Sequence, residues 1–452
     1  MPTLTGQLID KVIAVKYESL PAAAIDMAKQ VMLDGIAVML AGATEPLGLG
    51  RIVTQYVKDA GGNPQASVIA GGFKTSMLNA AYANGTMAHA LDFDNTWYPL
   101  NHPTSPTLPA ILAIAEHHNT GGRKIIESIV AAFEVQGRMR MAATGLETGS
   151  GFHKPGTTGQ FGAVTAAAKM LDLDRQQMLM AFGIAGSRAG SLSINTGTMT
   201  KSSHAGHAAR MGVECAVLAK MGFTGSMDVF GPKGFFDTFL FGKAAPRLLT
   251  ENFGMPFRMV DPGVGFKKHP SNYFTHRPID AALALRDEHG ITPQQIAKVE
   301  VVFPRFEYVN RPQPETGLDG KFSVQYTTAA ALLDGEITVD TFNNERRFAP
   351  DVVALLPKIT LRFDDNIPTD FDRMHIDMTV TLTDGRVLSR RVAKLSGWIG
   401  SPLTREQRMK KFHSCAKRVL AKDAADRIVT VVENLDKMPQ VGELMTLLRA
   451  DQ

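Results

Sequence analysis

The stretch from Pro21 to Gly42, PAAAIDMAKQVMLDGIAVMLAG, constrains the fold most, because Ile25, Ala28, Met32, Ile36 and Met39 recur at the spacing of one helix face. Pro21 suits a first helical turn and Gly42 suits an end. Segments of the same kind follow: SMLNAAYANGTMAHALD, TLPAILAIAEHHN, KIIESIVAAFEVQGRM and GAVTAAAKMLDL. Their alanine and glycine content lets helix backbones pack closely, so the first half of the chain is expected to form a compact helical core. The 22 methionines read as gap fillers in that core.

The pattern changes after about Gly265. AKVEVVFP (297–304) and PKITLRF (357–363) are rich in β-branched residues and predict strands. HIDMTVTLTDGRVLSRRV (375–392) alternates on both sides of Asp384-Gly385, which predicts a hairpin. Helical patterns intervene at IDAALALRDEHG and VQYTTAAALLDG. From Pro402 the chain reads as helical again in TREQRMKKFHSCAKRVL and AADRIVTVVENL, with Thr404 as an N-cap. The expected fold is mainly α with an α+β second domain. A large all-helical domain covers 1–264, a smaller lid-like α+β domain covers 265–400, and 401–452 returns to the helical domain.

Composition narrows the function classes. A chain of 452 residues can bury a large core without metal or disulfide staples. The balance of 48 Lys+Arg against 44 Asp+Glu is only +4 and is spread along the chain, unlike the clustered charge of a nucleic-acid binder. Cys215 and Cys415 are too few for a disulfide framework or a cysteine-rich metal site. No apolar run approaches the roughly 18 residues of a membrane span, and the N-terminus lacks a signal-peptide pattern. The bounds point to a soluble cytoplasmic protein without nucleic-acid or membrane partners. GxxxxGK[ST], HExxH, CxxC, GxSxG and a post-strand GxGxxG are missing, which removes the usual nucleotide, zinc-hydrolase and serine-hydrolase signals.

Four polar segments could carry chemistry. HALDFDNTWYPLNHPTSPTLP holds His89, Asp92, Asp94, Thr96, Trp97 and His102 before a new helix, a set suited to acid–base work. The bland alternative makes Asp94 and Asn95 turn residues and His102 a surface loop histidine. In GFHKPGTTGQFGAVTAAAKML, Gly156, Thr157, Thr158 and Gly159 lead into an alanine-rich helix whose free N–H groups could bind a carboxylate, with His153 and Lys154 as cationic neighbours. The alternative is an ordinary cap at Thr157 or Thr158. In TKSSHAGHAAR, Lys201 is expected just before a helix start, with Ser202 or Ser203 as the cap, and His204 and His207 near one face. A metal held by those two histidines would need a third ligand that the sequence does not reveal. In GVGFKKHPSNYFTHRPIDAAL, Lys267, Lys268, His269, Asn272, His276 and Arg277 crowd a domain junction, where clefts for small anions form, unless the run is a solvated loop. Together these segments favour binding a small polycarboxylate and moving protons on it, without choosing a reaction.

LDFDNTW with HPTSPTLPAILAIAE, GFHKPGTTGQFGAVTAAAKML, TKSSHAGHAAR and FKKHPSNYFTHRPIDAAL resemble successive blocks of the MmgE/PrpD family, and KFSVQYTTAAALLDG is similar to a further block of its smaller domain. The resemblance implies a large helical and a smaller α+β domain, a homodimer, and enzymes without an organic cofactor: 2-methylcitrate dehydratase, cis-aconitate decarboxylase and iminodisuccinate epimerase. Carried over residue by residue, it places Asp92, Thr96, His102, His153, Lys201, Lys267 and Tyr326 at the site. Asn272 stands where the decarboxylase pattern has a histidine, and His269 where it has an aromatic residue. The expected catalytic set is therefore His102, His153, Lys201, Lys267, Asp92 and Tyr326. Thr96, Gly156, Thr157, Thr158, His204 and Asn272 are the expected substrate-binding set, with no metal and no cofactor. The expected function is a cofactor-independent lyase for a di- or tricarboxylate, with an epimerase or a non-catalytic carboxylate-binding homologue as alternatives. In that expectation Lys201, Lys267 and the Gly156–Gly159 backbone hold carboxylates, His102 or His153 moves the proton, Asp92 orients a histidine, and Tyr326 delivers a proton or binds a carboxylate.

Overall fold

Helices faced with alanine and glycine can approach until their backbones touch, and the larger part of this protein is built on such contacts. A computed structural model describes residues 3–143 and 151–449. The chain divides into two compact units, one of Met1–Ala90, Asp94–Phe266 and Thr404–Gln452, the other of Leu91–Phe93 and Lys267–Leu403.

In the larger unit the helices Ala22–Ala43, Met77–His89, Thr104–His118, Gly122–Ala142, Gly159–Met170 and Met199–Lys220 form the core. The Met77–His89 and Met199–Lys220 helices meet at two glycines. A Cβ on Gly85 would lie 2.8 Å from Gly206 Cα, and one on Gly206 would lie 2.1 Å from Thr86 Oγ1. Neither position has room for a methyl group. Ser202 Oγ donates to His89 O at 3.2 Å and ties the same two helices. The helix Arg405–Ala416 returns to pack on Ala22–Ala43, where Lys411 and Asp34 form a buried ion pair at 2.6 Å. Thr404 caps it, accepting from Gln407 N.

Three helix starts differ from the sequence expectation. Pro21 is the N-cap and not a first-turn residue, because its extended ψ of 145° precedes the first helical residue Ala22. The helix carrying Lys201 begins at Met199 with Thr198 as N-cap, so Lys201 lies in its first turn. Ser202 and Ser203 are inside it and do not cap; Ser203 Oγ donates back to Thr200 O. A short helix, Lys154–Thr157, precedes Gly159–Met170, so the helical path starts before Gly156.

The smaller unit holds a four-stranded mixed sheet in the order Ile359–Phe363, Ile296–Phe303, Ile376–Leu382, Val387–Val392. The first pair is parallel and the others antiparallel. Ile376, Met378, Val380 and Leu382 are buried in strict alternation, so one face of their strand belongs to the core. The hairpin turn falls at Asp384-Gly385, where Gly385 adopts φ +88°, a left-handed conformation that glycine takes without steric cost. Helices Tyr273–His289 and Val324–Asp334 pack with the sheet. The expected class, a mainly helical first domain and a mixed α+β second one, is the observed class. Among the described residues no helix is long and apolar enough to cross a membrane.

Candidate active site

His89 closes the Met77–His89 helix, and Thr104 and Ser105 open the next one. The loop between them is clamped from inside. Asn95 Nδ2 donates to Thr104 Oγ1 at 2.7 Å, and Thr96 Oγ1 donates to Asn101 O. Asn101 Nδ2 donates to Gln136 Oε1 at 2.7 Å, and Gln136 Nε2 donates to Pro103 O at 3.1 Å. This scaffold fixes Asp94, whose side chain is fully buried. His89 Nδ1 lies 3.0 Å from Asp94 Oδ1 and His102 Nδ1 lies 3.1 Å from the same oxygen, while Ser105 Oγ donates to Oδ2. Burial alone would raise the Asp94 carboxyl, but the charges and hydrogen bonds of His102 and His89 outweigh it and hold the group well below the usual carboxylate range.

Four imidazoles line up from this anchor. Ring centroids are 4.6 Å apart for His102 and His89, 5.5 Å for His89 and His153, and 5.1 Å for His153 and His204. The glycine contact between helices brings the His204 and Lys201 turns alongside His89. Burial, then the Lys201 ammonium, pulls His89 and His204 each down to about 4 and His153 well below the imidazole range. These three rings are therefore neutral near pH 7. Lys201 is buried at 8% exposure, whereas His102 keeps 17% of its side chain open.

The smaller unit carries a separate cluster. Lys267 Nζ donates to Asp92 Oδ2 at 2.7 Å, to Asp92 O and to Ser271 O, with Lys267 and Asp92 only 1% and 3% exposed. Asp92 sits at φ +49°, a left-handed conformation that aspartate tolerates. Asn272 caps the Tyr273–His289 helix through Phe274 N, and its Oδ1 also accepts from Tyr308 Oη at 3.0 Å. Asp280 pairs with His269 and Lys268 at 3.0 and 2.8 Å. Lys267, His269, His276 and Arg277 are buried, so the basic segment is not a solvated loop.

Comparison with known proteins follows the same division. Residues 6–248 match the MmgE/PrpD N-terminal domain and residues 269–437 the MmgE/PrpD C-terminal domain. The chain belongs to the MmgE/PrpD family. It is 31% identical to the cis-aconitate decarboxylase of Mus musculus, over 99% of this chain and 94% of that one. It is 24% identical to the cis-aconitate decarboxylase of Aspergillus terreus over 95% of this chain and 93% of that one, and 25% identical to the 2-methylcitrate dehydratase of Cupriavidus necator over 82% and 81%.

Of the residues singled out in the sequence, His102 meets the buried carboxylate of this family member, and His153 and His204 extend the row of rings through His89. Others are placed differently. Asp92 was expected to orient a histidine and Lys267 to grip a carboxylate; they face each other, because burying either charge alone would be costly. Two of the amides expected to be free are engaged: Gly156 N donates to His153 O at 3.1 Å and Thr158 N to Lys154 O at 3.0 Å. Thr157 Oγ1 donates to His153 O and Gly190 O, Thr158 Oγ1 to Lys154 O, and the Thr96 hydroxyl is likewise internal. Tyr326 is fully buried and its hydroxyl donates to Thr341 O. The tyrosine beside Asn272 is instead Tyr308, which is 40% exposed. No motif flagged Tyr308. Asp94 stood in the acid–base set of the first polar segment, with a turn residue as the alternative reading, and it lies buried between His89 and His102. Among the described residues, His89, Asp94 and His102 have donor atoms within 4.8 Å of one another, close enough to share an ion. Both Nδ1 atoms already face the carboxylate at hydrogen-bond distance and an ammonium adds positive charge, so the arrangement fits imidazole–carboxylate pairing.

Proposed function

We propose that this protein is a cofactor-independent lyase for a small di- or tricarboxylate of the citrate or aconitate type, working by proton transfer next to a carboxylate. The observation that carries this reading is the line of four imidazoles bounded by Asp94 and Lys201; the decarboxylases and dehydratases among its relatives support it. Removing a proton beside a carboxylate leaves an enolate-like dianion. A fixed ammonium such as Lys201 lowers that charge cost, by roughly 10²–10³ in rate for one preorganised donor.

His102, the partly open ring, is assigned as the base. In a dehydration it takes the carbon-bound proton, the C–H electron pair forms the double bond, and the hydroxyl leaves with a proton from an acid to become water. In a decarboxylation the electron pair of the breaking C–C bond stays on carbon as carbon dioxide leaves, and an acid protonates that carbon. The acid is assigned to the Lys201 ammonium, because the neutral His153–His204 pair has no imidazolium proton to give. Tyr308 and Asn272 remain candidates for carboxylate recognition on the smaller unit, with Lys267 and Asp92 setting their surroundings. We further take the protein to act as a homodimer in the cytoplasm.

The test is incubation of the purified protein in deuterated water with citrate, methylcitrate, cis-aconitate and iminodisuccinate, with and without chelator. Deuterium incorporation with release of water or carbon dioxide, unchanged by chelator, is expected. Exchange with inversion but no release would replace the lyase with an epimerase. Binding without exchange or turnover would make the protein a non-catalytic carboxylate binder.

A further inference from the structure

Asp94 is sealed from solvent, yet its two oxygens face three groups: His89 Nδ1 at 3.0 Å, His102 Nδ1 at 3.1 Å and Ser105 Oγ. A carboxylate only accepts hydrogen bonds. His89 Nδ1, hydrogen-bonded to it, must therefore carry its proton, which leaves the lone pair of that neutral ring on Nε2; His102 Nδ1 faces the same oxygen as an ion-pair contact, and the adjacent negative charge favours a proton there as well. The backbone supports that arrangement, since His89 ends one helix, Ser105 begins the next, and the Asn95–Thr104 and Thr96–Asn101 bonds hold the loop between them. Among the described residues His89 Nε2 is buried with no hydrogen-bond partner, as expected for a ring whose donor is spent on Asp94.

We propose that Asp94 is a positioning residue that sets the tautomer and orientation of His89 and His102 together, presenting His102 Nε2 as the proton acceptor and keeping His89 as a neutral packing partner. The proposal rests on the reading of His102 as the base. One carboxylate serving two rings supplies one negative charge, enough to balance one imidazolium. When His102 takes a proton from carbon, the balancing charge is already 3.1 Å away. His89 does not compete for it, because the Lys201 ammonium opposes a second positive charge there. Asp94 acts through these rings and not on the substrate.

The experiment pairs ¹⁵N NMR of histidine-labelled protein, which needs no substrate, with the turnover assay above. In the wild type the His89 and His102 signals, assigned with His89→Gln and His102→Gln, are expected to show protonated Nδ1. Asp94→Asn keeps the shape but offers an amide donor, so at least one ring should move its proton to Nε2. Turnover should then fall by roughly 10²–10⁴-fold with KM changed only a few-fold. Ser105→Ala removes one bond to Asp94 and should act in the same direction, by about 10-fold, which keeps the test open if the asparagine variant does not fold. Unchanged tautomers in either folded variant, or a loss confined to KM, would overturn the proposal. If the wild type turns over none of the acids, the lyase reading falls while the NMR measurement still decides the tautomers.

Discussion

The Nδ1 atoms of His153 and His204 stand 3.0 Å apart, a geometry in which one ring must donate and the other accept. Both are pulled below the ordinary imidazole range, His204 to about 4, first by burial and then by Lys201. The unfolded chain binds these protons below about pH 6.5, whereas the folded one resists them. Stability is therefore present in full above about 6.5 and lost as pH falls through about 4. Urea unfolding at pH 7.5 and 4.5 should show the acid sample weaker by roughly 1–3 kcal/mol from this pair, and His204→Gln should flatten the dependence.

Lys201 is the second cause, after burial, of the lowered values of His89, His153 and His204. Lys201→Met should leave the fold intact, cost about 10²-fold or more in turnover, and move all three titrations to higher pH in an NMR series. Titrations that stay in place would remove the ammonium from this cluster.

The Lys267–Asp92 pair makes a simple alanine scan misleading. Lys267→Ala strands a buried carboxylate and should cost about 3–5 kcal/mol in stability. Lys267→Met combined with Asp92→Asn should recover much of that loss. A double-mutant cycle of unfolding free energies reads the coupling, and additive losses would contradict the pairing.

Two tyrosines can be told apart by one atom. Tyr308→Phe should lower turnover and leave thermal stability near wild type, since among the described residues its hydroxyl bonds to the half-buried Asn272. Tyr326→Phe should do the reverse, keeping activity and costing about 1–3 kcal/mol by leaving the Thr341 carbonyl unsatisfied. Melting curves and turnover of the two variants check both halves.

Periodicity made the fold legible. The helix through Ile25 and Met39, and the hairpin around Asp384-Gly385, are local patterns read by local sterics. The site was legible where residue type carries the chemistry, as with His102, His153 and Lys201. It was hidden where a partner is distant: Lys267 and Asp92 lie 175 positions apart, and no spacing rule joins them. Cap choice failed for a related reason. Ser202 has the chemistry of a cap, but its hydroxyl is drawn to His89 O across the helix pair. Asp94 was obscured because an aspartate followed by an asparagine resembles turn punctuation whether or not a histidine waits on each side.

The meeting of Gly85 with Gly206 sets the scale of everything around it. The spacing of imidazoles and ammonium is governed by two methyl groups that are not there, so adding one would act as a shim, widening the gap while every polar atom remained. Gly85→Ala could thus silence proton transfer in a protein whose acids and bases are all intact, and a survey of charged residues alone would never find the cause.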